Sequence, residues 1–224
     1  MGTLVQMPPR GRYLAQEVGQ LAGVSGGTIG QWAHYGYIQA SQSESSDYPK
    51  LYSFQDAAEA ILVHELLEKG VPLQVLRPVI EGLRETRGDW PLQHTHLEAL
   101  SAEGEIPLAS LLVKEGERRF ELGPHGWQLV EHTTVNPERV AADLRRGGWA
   151  ARELTDLQHI NVDPDFLSGR PTIKGRRVPV ALVAELAAEE DGPTILQEDY
   201  DLSPEQIKDA VRWWKASSAY ESAA

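Results

Sequence analysis

A cluster of basic side chains in this sequence could bind an anion. Four positive charges occur within eight residues, with no acid between them, at Arg170, Lys174, Arg176 and Arg177. Guanidinium groups form paired hydrogen bonds with carboxylates and with phosphates. This basic loop, residues 170–177, is therefore a candidate contact for DNA phosphate or for an acidic partner protein. A solvated loop, offset by Asp163 and Asp165, is the alternative.

A second group of polar and small residues, near the N-terminus, could read DNA. Glutamine can pair bidentately with adenine in the major groove, and glycine lets the backbone approach a phosphate closely. The candidate DNA contacts are Arg12, Ser25, Gly26, Gly27, Thr28, Gln31, His34 and Lys50. The first 55 residues balance three cations against three acids, so counterion release from DNA would be modest for one subunit. The alternative is a motif used only for protein contacts.

Metal binding and catalysis have weaker signals. Potential ligands occur at His94, His96 and Glu98, and further histidines at His125 and His132. No tight i, i+4 histidine pair with a base is present and the chain has no thiolates, so we expect these histidines to be structural or exposed. The sequence contains no nucleophile elbow, phosphate-binding loop or dinucleotide fingerprint. We expect no metal, no cofactor and no enzymatic activity.

The composition is that of a folded, acidic chain without disulfides. The 224 residues are 41% hydrophobic, which is adequate for one or two folded domains. The formal charge of −12 argues against a sequence-independent polyanion binder coated in positive charge. With no cysteine, no export signal and no long apolar run, we expect a soluble, cytoplasmic protein.

The elements that would position the N-terminal candidates form a helix-turn-helix. Apolar residues recur at the spacing of one helix face from Leu14 to Leu21. Gly23 can end that helix in the left-handed conformation, and Ser25 can cap the next one. A polar stretch at residues 39–50, between two short apolar pairs, favours a hairpin-like wing. The N-terminal third therefore predicts a winged helix-turn-helix.

The central part predicts two helices, a small sheet and a linker helix. A helix over residues 54–69 is followed by a short one that Pro78 interrupts, so no long coiled coil is expected. Three strands, at residues 110–114, 119–122 and 127–132, would form an antiparallel meander. A helix over residues 136–146 would follow.

The C-terminal third carries the pattern G-x-P-x-I-x-G-x-R-x-P-V over residues 169–180. Prolines on both sides of Gly175 predict a rigid reversal that leads into a helix. A second short helix and a third one, capped by Ser203 and Gln206, would complete a three-helix unit. Trp213 and Trp214 cannot both face one core, so we expect one in the core and the other at a dimer interface.

The C-terminal motifs resemble a known family. Asp163-Pro164, the pattern of residues 169–180 and the run from Asp199 to Ile207 closely resemble a bacterial, antitoxin-like domain family of unknown function over residues 155–215. Its members resemble the VapB-type component of type II toxin–antitoxin modules. The resemblance implies a small helical dimer that pairs with a PIN-type ribonuclease toxin. Arg176 departs from the family pattern, in which a small residue usually precedes the arginine, and makes the loop more basic.

The N-terminal motifs resemble a second family, the MerR-type winged helix. The resemblance is carried by Tyr13, Glu17, Val18, Leu21, Gly23, Val24, Ser25, Thr28, Ile29, Trp32, Gly36, Tyr52 and Asp56. It implies a recognition helix that reads DNA, although Gly30 stands where the family usually carries a DNA-contacting arginine. Together the two parts resemble a class of VapB antitoxins with an added N-terminal DNA-binding domain.

These observations predict a mainly α protein with small β elements. Its parts would be a MerR-like winged helix-turn-helix domain at residues 1–88, a strand-containing module with a linker helix at 89–153, and an antitoxin-like helical dimerisation domain at 154–224. The leading hypothesis is a homodimeric antitoxin that neutralises a PIN-type toxin and represses its own operon by binding operator DNA.

The residues expected to contact the toxin or the second copy are Arg170, Lys174, Arg176, Arg177, Trp213 and Trp214. The alternative is a stand-alone MerR-like transcription regulator. In that hypothesis the middle strands would hold a small ligand beside Phe120, His125 and Trp127.

Overall fold

Two short helices joined by a tight turn begin the fold. The computed structural model describes residues 8–44, 48–94, 96–102, 110–115, 118–121 and 129–221. Helix α1 (Ala15–Ala22) ends at Gly23, whose φ of 76° is left-handed, and the Ser25 hydroxyl begins α2 (Gly26–His34) by accepting from the Thr28 N–H. The stop signal at Gly23 and the start signal at Ser25 act as their residue types predict, so the predicted pair of helices and its turn are confirmed.

The segment after α2 returns to α1 as a loop. Tyr13 and Tyr52 form an isolated antiparallel bridge with two N–H to carbonyl bonds of 2.9 Å. The backbone N–H of Gln42 donates to the Leu51 carbonyl at 3.2 Å, so the chain reverses as a hairpin-like wing would. Among the described residues of this segment, that one bridge is the whole of the regular β structure. We call the described residues of this segment, 39–44 and 48–52, the wing loop.

Two helices of equal length follow the wing loop. Helix α3 (Phe54–Glu68) begins with a capping box between Ser53 and Asp56, and α4 (Leu73–Arg87) follows after a turn at Gly70. The prediction that the second helix is short was wrong, because α4 continues through Pro78 for its full 15 residues. One proline removes a single backbone hydrogen bond, and the burial of Leu76, Ile80 and Leu83 along the helix compensates for that loss.

A four-stranded antiparallel sheet occupies the middle of the chain after a short 3-10 helix, Pro91–His94. Its strands are β1 (His96–Ala102), β2 (Ser110–Glu115), β3 (Arg118–Glu121) and β4 (Leu129–Val135), in the order β3-β2-β1-β4. The predicted three-stranded meander omitted β1 and paired the last strand wrongly. The last strand instead lies beside β1, in a register that includes Leu97 with Val135.

The C-terminal third forms as its signals predict. After α5 (Pro137–Arg145), capped by Asn136, and the single turn α6 (Ala150–Glu153), strands β5 (Ile160–Asn161) and β6 (Thr172–Ile173) pair. Gly175, with a φ of 76°, makes the reversal that leads to α7 (Val180–Leu186). Helices α8 (Gly192–Glu198) and α9 (Pro204–Ala219) complete the unit, and α9 carries the predicted capping box of Ser203 and Gln206.

Residues that follow the central sheet contact both ends of α1. At its end, the Trp149 N–H donates to the Leu21 carbonyl at 2.8 Å. Before its start, the Tyr13 hydroxyl donates to the Gly169 carbonyl at 2.9 Å. One continuous cluster of buried apolar side chains accordingly runs from α1 to α9. The architecture is mainly α with small β elements, as predicted, and none of the described helices is long and apolar enough to span a membrane.

Candidate nucleic-acid interface

The outward face of α2 is the centre of the candidate interface. Ile29 and Trp32 are buried against the rest of the fold, whereas Gly27, Gln31 and His34 are exposed. This division follows from the helical repeat, which sets apolar and polar positions on opposite sides. The predicted face for reading base edges is therefore presented to solvent.

The start of α2 is organised by its own side chains. The hydroxyls of Ser25 and Thr28 lie 2.9 Å apart, and the Ser25 oxygen also accepts from the Thr28 N–H at 3.1 Å. Both side chains are half-buried. Ser25 and Thr28 therefore stabilise the N-terminus of α2. The helix dipole makes this terminus positive, which favours a phosphate placed beside it.

The three glycines of α2 differ in their surroundings. A Cβ on Gly26 would lie 2.9 Å from the Gln16 Cα, so this glycine serves the close crossing of α1 and α2 rather than an approach to phosphate. On Gly27 a Cβ would meet only the Ser25 hydroxyl oxygen, at 3.6 Å. On Gly30 it would meet nothing within 4 Å. Of the three glycines, only Gly27 and Gly30 therefore leave the α2 backbone accessible to a phosphate.

The two predicted cations of the interface lie outside α2, on the segment before α1 and on the wing loop. Arg12 is exposed just before α1, and its backbone N–H donates to the Ser168 carbonyl at 2.8 Å. Lys50 is half-buried on the wing loop and donates through Nζ to the Glu44 carbonyl at 3.0 Å. Arg10, which sequence reasoning did not select, forms an ion pair of 2.8 Å with Asp165.

A groove of about 580 Å³ separates α2 from the wing loop, and we call it the α2 groove. Its walls are largely apolar and come from three elements, the start of α1, the exposed side of α2 and the wing loop. Its lining includes Leu14, Ala33, Ala40, Tyr48 and Pro49, with His34 and Lys50 as polar members. Sequence reasoning missed this groove, because the elements that form it meet only in the folded chain.

The basic loop is partly neutralised within the chain. The Arg170 Nε lies 3.1 Å from a Glu17 carboxylate oxygen on α1, and Arg176 donates to Asp201 at 2.6 Å. The Arg177 guanidinium lies 5.0 Å from the centre of the Phe166 ring. Lys174 and Arg177 are exposed. The charge offset proposed as the alternative therefore exists, but Glu17 and Asp201 provide it rather than the two aspartates at 163 and 165.

The structure brings three of the six predicted partner contacts into one cleft of about 330 Å³. Arg170, Trp213 and Trp214 line it together with Glu17 of α1 and Pro179. The Trp213 ring is 1% exposed and donates from Nε1 to the Gly147 carbonyl at 2.7 Å, whereas Trp214 is half-buried. The prediction of one core tryptophan is thus confirmed. Contact of the other with a second copy stays a prediction.

Two buried acids below the interface were not selected as functional residues. Asp56 accepts from the Ser41 N–H at 2.8 Å and from the Trp90 indole at 2.7 Å, so it joins the wing loop to the central part. Glu59 accepts from the Leu92 N–H at 3.1 Å, and burial raises the pKa of its carboxyl to about 8. Burial also raises the pKa of Asp56.

A network of ion pairs attaches α3 to the linker helices. Glu65 is 3% exposed and pairs with Arg139 at 2.7 Å. Arg152 lies 2.9 Å from the other Glu65 carboxylate oxygen and 2.8 Å from Asp143. Its guanidinium also lies 4.7 Å from the centre of the Trp149 ring. These contacts position α5 and α6 against α3.

The remaining candidate residues belong to the central sheet and its surroundings. The side chains of His94, His96, Glu98, Phe120 and His132 lie outside the described part of the structure, as do residues His125 and Trp127 altogether. Within the part that is described, no three His, Cys, Asp or Glu side chains form a group that could hold a metal ion.

Comparison with known proteins identifies relatives of the C-terminal segment and of the whole chain. Residues 160–213 match a family described as proteins of unknown function, DUF433. This match lies inside residues 155–215, where the sequence motifs predicted a domain family of unknown function, and it confirms that part of the prediction.

Two proteins of Mycobacterium tuberculosis are similar over nearly the whole chain. The uncharacterized protein Rv2308 of strain ATCC 25618 / H37Rv is 28% identical over 237 residues, which cover 95% of this chain and 94% of the relative. The crystal structure of Rv2018 aligns with a TM-score of 0.50 and 19% identity, over 92% of this chain and 98% of that one. The second likeness concerns the fold alone.

Proposed function

We propose that this chain is a DNA-binding antitoxin. It binds operator DNA through the outward face of α2 and the wing loop, and it neutralises a PIN-type ribonuclease toxin through its C-terminal part. The observation that carries the DNA-binding half is the exposed row of Gly27, Gly30, Gln31 and His34 on a capped helix of a helix-turn-helix. Such a helix fits the major groove, where its polar side chains meet base edges.

The charge balance favours a dimer as the DNA-binding form. The chain carries a formal charge of −12, and few cations flank α2. Two copies on two half-sites would double the phosphate contacts and would offset the weak attraction of a single subunit for DNA. A homodimer is therefore part of the proposal.

The antitoxin half is supported by the C-terminal motifs and by the cleft that Arg170, Trp213 and Trp214 line. The resemblance of residues 155–215 to VapB-type antitoxins implies a toxin partner. Exposed Lys174 and Arg177, on the basic loop that also contributes Arg170 to that cleft, offer cations to the acidic active site of a nuclease. Because Glu17 of α1 pairs with Arg170, the proposed partner surface adjoins the helix-turn-helix.

Gln31→Ala and Lys50→Ala should affect DNA binding in different ways. Loss of the Gln31 amide should weaken binding to the preferred operator by about tenfold and relax base preference, because a bidentate base contact is worth about 1–3 kcal/mol. Loss of the Lys50 charge should weaken binding to all sequences alike. It should also reduce the slope of the logarithm of the binding constant against the logarithm of salt concentration by about one. Fluorescence anisotropy at several salt concentrations measures both effects.

Matched controls for these variants lie on the C-terminal helices. Gln197→Ala removes an exposed amide from α8, and Lys215→Ala removes an exposed charge from α9. Both should bind DNA as the wild type does. Unchanged operator binding in Gln31→Ala and Lys50→Ala would contradict the assigned orientation of α2 in the groove of DNA.

Co-expression with the product of the adjacent reading frame tests the antitoxin half. The two proteins should co-purify, and this chain should relieve growth arrest caused by its neighbour. Lys174→Ala with Arg177→Ala should lower the affinity of the complex by about tenfold, because two charge-assisted contacts are lost. Absence of both a complex and toxicity would contradict the antitoxin half and leave a stand-alone DNA-binding regulator.

A further inference from the structure

The α2 groove has the size and the lining of a small-molecule site. Its volume of about 580 Å³ lies within the range of ligand pockets, about 300–1,000 Å³. Apolar walls with a few polar groups at the edge are typical of such pockets. Leu14 is 41% exposed and Tyr48 is 95% exposed, so apolar surface at the groove remains in contact with water. A bound molecule would cover that surface.

The charge of the groove favours an anion. None of the described residues that line it is acidic, although the chain carries 33 acids and 21 Lys plus Arg. The ionisable groups of its described lining include the Lys50 amine and the His34 imidazole. The Lys50 ammonium group, which donates to the Glu44 carbonyl, brings a positive charge to this lining.

The space in the groove depends on Gly30. A side chain at this position of α2 would extend into open space, since a Cβ there would meet nothing within 4 Å. Tyr48 and Tyr52 of the wing loop and His34 of α2 contribute aromatic rings to the lining. Aromatic side chains favour a planar ring between or beside them.

We infer that the α2 groove binds an aromatic carboxylate of about the size of naphthoate. The ring lies among Leu14, Ala33 and Pro49, and the carboxylate faces Lys50 and His34. The binding of such a molecule does not require DNA. One consequence rests on the proposed function: the ligand occupies the face of α2 that would enter the major groove, so ligand and DNA exclude each other.

A titration of the full-length protein with 2-naphthoate, in the absence of DNA, tests this inference. Line broadening of the naphthoate NMR signals should give a dissociation constant of about 1 mM or below. Neutral 2-naphthylmethanol should bind about tenfold more weakly, because it lacks the anionic group. Lys50→Gln should weaken naphthoate binding by about threefold to tenfold. Absence of naphthoate binding would overturn the inference.

Gly30→Leu provides the decisive variant, and Gly82→Leu is its matched control. Both glycines are exposed inside helices, and a Cβ on either would meet nothing within 4 Å. Leucine is the better helix former, so both variants should keep or raise the Tm. Gly30→Leu should weaken naphthoate binding at least tenfold, whereas Gly82→Leu should leave it unchanged. Equal affinity in the two variants would overturn the location of the site.

Competition with DNA separates this inference from the proposed function. Naphthoate binding without any DNA binding would support the groove and contradict the proposed function alone. DNA binding without naphthoate binding would overturn the groove alone. If both bind, naphthoate should displace DNA from the wild type at a concentration about tenfold lower than 2-naphthylmethanol requires. Failure of naphthoate to displace DNA would overturn the consequence that the two ligands share one face of α2.

Discussion

Replacing Gly148 with alanine should lower the free energy of unfolding by about 3 kcal/mol or more. The residue has a φ of 72°, and a Cβ would overlap the Leu21 carbonyl oxygen and lie 2.9 Å from its carbon. Left-handed backbone costs a residue with a Cβ about 1–2 kcal/mol, and the clash adds to this cost. The adjacent bond from the Trp149 N–H to the Leu21 carbonyl would also be displaced.

Urea denaturation of the wild type and of Gly148→Ala measures the loss in free energy of unfolding. A thermal scan should show that the variant has a Tm lower by about 6–12 °C. Gly82→Ala is the matched control, since a Cβ at this helical position meets nothing within 4 Å and should stabilise α4 by up to about 1 kcal/mol. A loss below about 1 kcal/mol in Gly148→Ala would contradict the close contact of α1 with the linker helices.

The stability of the protein should fall as the pH rises from about 4.5 to about 8, through Glu59. Burial raises the pKa of this carboxyl to about 8 in the folded state. Below pH 4.5 both folded and unfolded states hold the proton, and the contribution of Glu59 to stability is complete. Between the two pKa values only the unfolded state ionises, so unfolding becomes easier by a few kcal/mol, at about 1.4 kcal/mol for each pKa unit.

Glu59→Gln should remove this part of the pH dependence. The amide is neutral at every pH and can still accept from the Leu92 N–H through its oxygen. Urea denaturation at pH 5, 7 and 9 should show that the variant gains stability relative to the wild type as the pH rises. Glu85→Gln, an exposed position on α4, serves as the control and should follow the wild type. Parallel pH profiles of Glu59→Gln and the wild type would contradict a protonated, buried Glu59.

Local signals in the sequence predicted the helices well, because the residues that begin and end them act through neighbouring backbone groups. The left-handed Gly23, the Ser25 cap and the Ser203 capping box all occur where their types and spacing place them. The exposed row on α2 was predictable for the same reason, since one face of a helix is visible in its repeat.

Long-range features were not predictable in this way. Strand β1 was not among the predicted strands, and it forms by pairing with β2 on one side and β4 on the other. Glu17 and Arg170 are 153 residues apart, so nothing local in the sequence indicates that they form an ion pair. The α2 groove and the packing of Gly26 against α1 likewise depend on contacts between separate elements.

The position of α1 links the two halves of the proposed function. Its start is tied to the loop that carries Gly169, and its end is tied to Trp149. The same helix packs against α2, whose outward face is the proposed DNA-reading surface. A partner that binds at Arg170 would therefore act on the helix that positions α2.

Selection of binding sites from a pool of random DNA duplexes, by the purified full-length chain, tests the central claim most directly. We predict enrichment of one motif with two half-sites about 10–10.5 base pairs apart, centre to centre, or a multiple of that spacing. We also predict that Gln31→Ala enriches a more degenerate motif. If the wild-type chain enriches no sequence over the starting pool, the outward face of α2 is not a DNA-reading surface and the DNA-binding half of the proposed function is wrong.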